Sequence, residues 1–262
     1  MLLGMIVLVA VLSGVQTLLR FVLHAPDALA ALTIVAATLG TYIGWTRLVE
    51  RRRPAELDPR AWPQALAGLA IGLALIAVTI GLLAGLGVYR FEGFGGWAGV
   101  GSNFLIFLAG AVFEELLFRG MLFRTLRDLW GTWVGVAASA AVFGLLHAFN
   151  PGATVVSTVA IMLEAGVLLA VAYAASNRLW LPIGLHLGWN FAEGPIFGTA
   201  VSGHALHKTL LHGSFQGPAW LSGGGFGPEA SVVAVLVCLL ASAAFAVRVL
   251  RAAPEVSSAA AS

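Results

Sequence analysis

The feature that most constrains this chain is a series of apolar runs, each long enough to cross a lipid bilayer. A spanning helix needs about 20 mainly apolar residues, and the sequence repeats such a run between short stretches of Gly, Pro, Asn or Arg. Only 10% of the residues are charged and 60% are hydrophobic, whereas a soluble domain is about 25% charged. The chain is therefore predicted to be an all-α, polytopic membrane helix bundle.

The spacing of the runs predicts about eight transmembrane helices. They lie near residues 2–24, 28–48, 62–88, 102–126, 132–149, 153–176, 180–199 and 229–251. The first run lacks the basic region of a cleaved signal peptide, so we expect it to stay as the first span. No length is left for a soluble domain, and residues 1–262 are predicted to form a single transmembrane domain.

The arginines predict how the bundle is oriented, because Lys and Arg are enriched on the cytoplasmic side of membrane proteins. Counting spans from the arginine-rich segment between the second and third runs places most basic residues on one side: Arg47, Arg51, Arg52, Arg53, Arg60, Arg124, Arg127, Arg178, Arg248 and Arg251. Arg20, Arg90 and Lys208 remain near the other side. Both termini are then cytoplasmic, and the small, polar residues 253–262 predict a disordered tail.

The remaining composition narrows the class of protein further. The net charge of +2 is spread over the ends of apolar runs, so no basic patch indicates nucleic-acid binding. Cys238 is the only cysteine, which leaves no disulfide within the chain and predicts a lipid-facing or packed thiol. The abundance of Ala, Gly and Arg, with almost no Lys, is typical of a GC-rich bacterial genome and indicates the bacterial inner membrane.

Ionisable residues at membrane depth are the strongest pointers to function. A charged side chain at the bilayer centre costs about 2.5 to 3.5 kcal/mol on insertion scales, so each one needs a reason. The carboxylates at membrane depth are Glu114, Glu115, Glu164 and Glu193, and the histidines at membrane depth are His147 and His186. Glu164 and Glu193 are expected to tune a site or to hydrogen-bond the bundle, and neither is assigned a catalytic role.

Glu114 and Glu115 follow each other in the fourth run, about 100° apart around a helix. Glu115 and Arg119 are four residues apart and can pair on one face, which predicts a structural brace. Glu114 is then expected on a different face of the helix, where it is not paired with Arg119. A carboxylate of this kind is a candidate general base on water.

The fifth and seventh runs carry the other candidate groups. Phe143 and His147 share one helical face, and so do His186 and Asn190. His186 and Asn190 could supply two hydrogen bonds to an oxyanion, or the imidazole could instead ligate a metal. The alternative for all of these polar groups is a structural role, in which they only form hydrogen bonds between helices.

Together the segments EELLFR, FGLLH and HLGWN resemble the EExxxR, FxxxH and HxxxN patterns of the CPBP family. This is the CAAX-protease and bacteriocin-processing group of intramembrane endopeptidases. The resemblance covers a motif core at about residues 100–195. The other spans match only in general hydropathy.

The resemblance implies hydrolysis of a peptide bond within the membrane, in a site that opens toward the cytosol and acts on a membrane-associated protein or peptide. Glu114 would activate water alongside His147, while His186 and Asn190 would form the oxyanion hole. Glu115 also belongs to the implied catalytic group, with Arg119 and Phe143 in support. Glu114, His147 and His186 could hold zinc, or they could hold water directly in a metal-free, glutamate-type enzyme.

Simple counting puts His147 and His186 at different depths of straight helices. The resemblance therefore requires tilted or broken helices, and Asn150, Pro151 and Gly152 could permit the break. The glycine-rich loop at about residues 200–228 is expected to be a lid or a connector. Its three histidines, His204, His207 and His212, are predicted to be solvated.

Two other functions fit buried carboxylates and histidines. A carrier or channel would use them as a proton or ion path, but it should show two related halves, and no inverted repeat is evident in the sequence. A membrane scaffold would not need Glu114 at all. The concentration of polar groups in the fourth to seventh runs favours a single reaction centre.

Overall fold

The protein is described here by a computed structural model of residues 1–252, so the predicted disordered tail lies outside the described residues. The described chain is mostly helical. Its helices are α1 (Leu2–Thr17), α2 (Asp27–Leu48), α3 (Pro63–Gly85), α4 (Val100–Glu115), α5 (Arg124–Trp130), α6 (Thr132–His147), α7 (Val155–Ile161), α8 (Val167–Ser176), α9 (Trp180–Phe191), α10 (Ala219–Ser222) and α11 (Val232–Ala252).

Five helical stretches within the described residues are long and apolar enough to cross a membrane. They are Leu2–Val22, Asp27–Leu48, Pro59–Gly85, Val155–Ser176 and Val232–Arg251. The predicted count of about eight is not confirmed. Of the other three predicted spans, α6 has 16 residues, α9 has 12 and α4 is interrupted at Glu115.

Large apolar side chains are exposed along the outer helices. Leu2, Phe21 and Leu240 are 68%, 75% and 74% exposed. A soluble monomer rarely exposes apolar patches on this scale. Contact with lipid explains the exposure, in agreement with an integral membrane protein.

Within residues 1–252, four π-helical turns interrupt the regular helices, at Leu18–Val22, Leu116–Phe123, Met162–Gly166 and Ala192–Ile196. Such turns shift the direction of side chains and are frequent at functional sites. The chain also leaves helical geometry between α6 and α7, around Pro151, as the sequence predicted. Thr154 then caps α7, accepting a hydrogen bond from the Ser157 amide.

The described chain also contains two strands, which form an antiparallel ribbon beside the predicted helices. Strands β1 (Tyr89–Phe94) and β2 (Leu211–Phe215) pair with a bulge between Phe91 and Gly93. β2 lies inside the glycine-rich loop that the sequence left without secondary structure. The pairing is long-range and irregular, so neither strand shows a clear period in the sequence. The loop therefore contains regular secondary structure, namely β2 and the short helix α10.

Helices α3 and α9 touch through glycines. A Cβ atom added to Gly72 would lie 2.2 Å from the Leu185 carbonyl oxygen, and one added to Gly184 would lie 2.0 Å from that of Ala65. Small residues spaced by four allow helix backbones to approach closely in membranes. Because His186 and Asn190 lie on α9, this contact fixes the position of both.

The connection between α2 and α3 contains a network of charges. Arg52 pairs with Glu50 at 2.6 Å and with Glu56 at 2.8 Å, while Arg124 pairs with Glu50 at 2.7 Å. Burial alone would raise the pKa of Glu56, but hydrogen bonds from Arg52 and from the Tyr42 hydroxyl hold this pKa below its ordinary value. The network ties the connection to the start of α5.

Candidate functional site

Glu115 and Arg119 form the predicted brace at the core of the site. Arg119 Nη1 donates to Glu115 Oε1 at 2.9 Å, and the two side chains are only 1% and 0% exposed. The other terminal nitrogen of Arg119 donates to the backbone carbonyls of Ala165 and Gly166, both at 3.2 Å. The brace therefore joins the fourth predicted span to the π-helical turn before α8.

Phe143 packs against this brace. The Arg119 guanidinium carbon lies 4.7 Å from the centre of the Phe143 ring, within the range of a cation–π contact. The same ring meets Phe118 edge to face at 4.9 Å and stacks near His147 at 4.5 Å between ring centres. Phe143 thereby holds the end of α6 beside the brace.

His186 lies between the two adjacent glutamates. Its Nδ1 is 2.9 Å from Glu115 Oε1, so this nitrogen donates to the carboxylate, while Nε2 lies 3.9 Å from Glu114 Oε2. The second distance is too long for a direct hydrogen bond. Glu115 orients the ring, and Nε2 is left to face Glu114 and the cavity beside it.

His147 has a related arrangement. Its Nδ1 lies 2.8 Å from the Phe143 carbonyl oxygen, and because a carbonyl only accepts, Nδ1 carries the proton. The Nε2 atom of the neutral ring is then an acceptor. Both histidines are held through Nδ1, which leaves Nε2 of each for other partners.

One cavity brings the candidate groups together. It has a volume of about 740 Å³, and its lining includes Glu114, His147, His186 and Asn190. The side chain of Glu114 is 29% exposed, so this carboxylate is accessible from the cavity, unlike Glu115. Both histidines line this cavity, although counting along straight helices places them at different depths.

Three further glutamates lie fully buried behind the site. Trp189 Nε1 donates to Glu193 at 3.1 Å, the backbone amide of Glu229 donates to Glu193 at 3.3 Å, and the Cys238 thiol donates to Glu164 at 3.4 Å. Cys238 is therefore a packed thiol. No role was assigned to Glu229 from the sequence, although an acid at the first residue of the last predicted span, 229–251, was a visible signal.

A small cavity is lined by two of these acids, Glu164 and Glu229, together with groups of the site. Its volume is about 20 Å³, and its lining includes Glu164, Glu229, His147, His186 and Asn190. Space of this size holds about one water molecule. Glu164 thus lies in the wall behind the histidines, closer to the site than the sequence indicated.

The loop histidines are exposed, as predicted. His204 also lines the large cavity, and its Nδ1 donates to the Ser202 carbonyl at 3.1 Å. His207 lies in the coil before β2, and His212 lies within β2. His204 thus shares the cavity with the candidate catalytic groups, whereas His207 and His212 are not among the lining residues.

The zinc alternative requires Glu114, His147 and His186 to act as joint ligands. Over residues 1–252, no three His, Cys, Asp or Glu side chains are grouped as ligands of a metal ion. The 3.9 Å between Glu114 and His186 is also wide for two atoms that would each lie about 2.0 to 2.2 Å from one tetrahedral zinc. Zinc binding by Glu114, His147 and His186 stays a prediction, and the chemistry below is written with side chains and water.

The comparison with protein families agrees with this location of the site. Residues 95–192 match the model described as type II CAAX prenyl endopeptidase Rce1-like. The match contains Glu114, Glu115, His147, His186 and Asn190, but not Glu193 or Glu229. No curated protein and no solved structure matches the chain.

Proposed function

Since residues 95–192 belong to the Rce1-like type II CAAX prenyl endopeptidase family, we propose that the protein hydrolyses peptide bonds of membrane-associated substrates, with Glu114 as the general base. The observation that carries this proposal is the shared cavity, in which an accessible carboxylate faces two oriented histidines and an asparagine. Such a set matches the needs of amide hydrolysis better than those of a passive helix contact.

In the proposed reaction, Glu114 takes a proton from a water molecule while the water oxygen attacks the carbonyl carbon of the substrate. His147 Nε2 accepts a hydrogen bond from the same water. The developing oxyanion accepts hydrogen bonds from the Asn190 amide and from Nε2–H of His186 in its imidazolium form. When the C–N bond breaks, the proton on Glu114 passes to the leaving amine.

Glu115 and Arg119 act as positioning residues in this scheme. Glu115 holds His186 through Nδ1 at 2.9 Å, and Arg119 fixes Glu115 in turn. A side chain locked by a second layer of hydrogen bonds keeps its geometry during the reaction. The substrate class is a membrane-associated protein or peptide, and the family name points to CAAX prenyl proteins as the first substrates to test.

The experiment that tests the proposal uses purified protein in liposomes with a library of membrane-anchored peptides that includes prenylated CAAX peptides. Products are identified by mass spectrometry, and bound metal is measured in the same preparation. We expect defined cleavage by the wild type and loss of cleavage in Glu114→Ala and His186→Ala. Stoichiometric zinc would assign a metalloprotease, whereas cleavage without metal would assign a glutamate-type enzyme.

The same experiment also tests the alternative functions that the sequence left open. A carrier, channel or scaffold would be folded and inserted but would cleave no peptide in the library. Cleavage that persists in both variants would remove Glu114 and His186 from the chemistry. Either result would overturn the proposed function.

A further inference from the structure

Four arginines line one cavity beside the connection between α2 and α3. The cavity has a volume of about 960 Å³, and its lining includes Arg47, Arg51, Arg52 and Arg53. Arg51 has a left-handed backbone conformation, with φ of 51°, at the point where the chain leaves α2. Positive charges gathered around one space attract a negatively charged group. We call this space the arginine cavity.

The carboxylates of the same connection are already engaged. Glu50 and Glu56 both pair with Arg52, at 2.6 and 2.8 Å. Asp58 lines the arginine cavity, and its side chain accepts a hydrogen bond from the backbone amide of Arg60 at 3.0 Å. The two glutamates therefore offset the charge of Arg52 and leave the other arginines of the cavity facing a single aspartate.

Arg47, Arg51 and Arg53 carry the uncompensated charge. Over residues 1–252, none of the three forms an ion pair with a carboxylate, and all three side chains are exposed. An arginine that only flanks a membrane span needs no neighbour of the same charge, whereas these three share the wall of one cavity. The arrangement therefore fits an anion better than it fits isolated, solvated side chains.

The arginine cavity lies at a membrane surface, because its connection joins two helical stretches that are each long and apolar enough to span, Asp27–Leu48 and Pro59–Gly85. Leu48, Val49 and Trp62 are 80%, 56% and 55% exposed beside it. Indole rings are enriched at the level of the lipid headgroups, and exposed aliphatic groups at the end of a span contact lipid chains. A lipid can therefore place its phosphate in the cavity while its chains cover these side chains.

We propose that the arginine cavity binds a phosphate group, and that this phosphate belongs to the headgroup of an anionic phospholipid. A guanidinium can donate two parallel hydrogen bonds to phosphate oxygens, which a point charge cannot do. Arg47, Arg51 and Arg53 supply the charge, while the exposed apolar side chains beside them favour a lipid over a soluble phosphate. The proposal is independent of the proposed function, since it involves neither Glu114 nor cleavage.

Lipid binding is measured on the purified protein in detergent by native mass spectrometry. The probes are phosphatidylglycerol, which is anionic, and phosphatidylcholine, which is zwitterionic, with the same dioleoyl chains. The double variant Arg47→Gln/Arg53→Gln removes two charges from the cavity. The control Arg248→Gln/Arg251→Gln removes two exposed charges from the end of α11, outside the cavity lining. Arg47 and Arg251 each lie in the last turn of a long helix, so the structural cost is matched.

We expect the wild type to prefer phosphatidylglycerol, and the cavity variant to bind it about 25-fold more weakly, since each basic residue near anionic headgroups contributes about fivefold. The control should bind it like the wild type. Arg53→Gln alone, which lies outside both helices, should show a loss of about fivefold.

Equal binding of the two lipids by the wild type would overturn the proposal. Equal losses in the cavity variant and the control would also overturn it, because they would assign the effect to diffuse surface charge. Glycerol phosphate is added as a soluble competitor with the same phosphate chemistry. If it displaced phosphatidylglycerol at millimolar concentration, the ligand would be a soluble phosphate ester and the assignment to lipid would be wrong.

Discussion

His186 and Glu115 are joined by a contact of 2.9 Å between the imidazole Nδ1 and a carboxylate oxygen, although they lie 71 positions apart in the chain. The same oxygen of Glu115 accepts a hydrogen bond from Arg119. A buried carboxylate thus connects a structural cation to a catalytic candidate. This connection separates the role of Glu115 from that of its neighbour Glu114.

Arg119→Lys is expected to destabilise the protein by about 1 to 3 kcal/mol, the cost of leaving a buried hydrogen-bonding group without its partner. Lys keeps the positive charge but has a single terminal nitrogen, so it loses the two-nitrogen geometry that reaches both Glu115 and the backbone carbonyls, and it loses the planar contact with Phe143. Thermal unfolding in detergent measures the change. Arg90→Lys on exposed β1 is the matched control, and equal unfolding temperatures for both variants would contradict the importance of the brace.

Gly184→Ala is expected to destabilise the contact between α3 and α9 by about 1 to 3 kcal/mol, the typical cost of overpacking. The new methyl group would meet the Ala65 carbonyl oxygen at 2.0 Å. Cleavage activity should fall as well, because His186 and Asn190 move with α9. Unfolding temperature and activity are measured together.

Gly81→Ala serves as the control for that substitution. Gly81 lies within α3, and nothing lies within 4 Å of an added Cβ atom. Ala is favoured over Gly in a helix interior by about 1 kcal/mol, so this variant should be as stable as the wild type or more stable. A loss of stability in Gly81→Ala equal to that in Gly184→Ala would argue against the close contact.

Asn190→Leu is expected to lower kcat by about 100-fold or more, the effect of removing one oxyanion donor. The substitution removes the amide at similar size. KM should change much less, because the Asn190 amide acts mainly when negative charge develops on the carbonyl oxygen of the substrate. Asn103→Leu removes another amide from the same cavity and should leave kcat nearly unchanged, so a similar fall in both variants would point to a general distortion.

The network around Glu56 predicts a specific dependence of stability on pH. Its pKa is lowered in the folded protein, so the ion pair contributes stability above the unfolded pKa of about 4.3. That contribution is lost as the pH falls through the folded value. Glu56→Gln should therefore unfold at a lower temperature near neutral pH and lose less stability in acid, with Glu92→Gln as the exposed control.

Much of the helical pattern could be predicted from the length of the apolar runs. The predicted runs near residues 28–48 and 62–88 coincide with α2 and α3, since long apolar segments have few alternatives in a membrane. The Glu115–Arg119 brace also follows directly from helical spacing. The role of His186 as its partner does not, because that contact depends on packing between distant segments.

Other features required the three-dimensional structure. The β-ribbon depends on pairing between segments more than 100 residues apart, which leaves no local signal. The close contact of α3 and α9 did have a signal, since Gly68 and Gly72 match the spacing of Gly184 and Gly188. The presence of Ser202 in the cavity wall depends on how the loop around it packs against the site.

The most direct test of the central claim is the cleavage rate of Glu114→Gln, measured as kcat/KM on a peptide that the wild type cleaves. Gln keeps the size of the side chain but cannot take a proton from water, so we predict a loss of about 100-fold or more with an unchanged unfolding temperature. Glu92→Gln should retain full activity. Full activity of a folded, inserted Glu114→Gln variant would contradict the account.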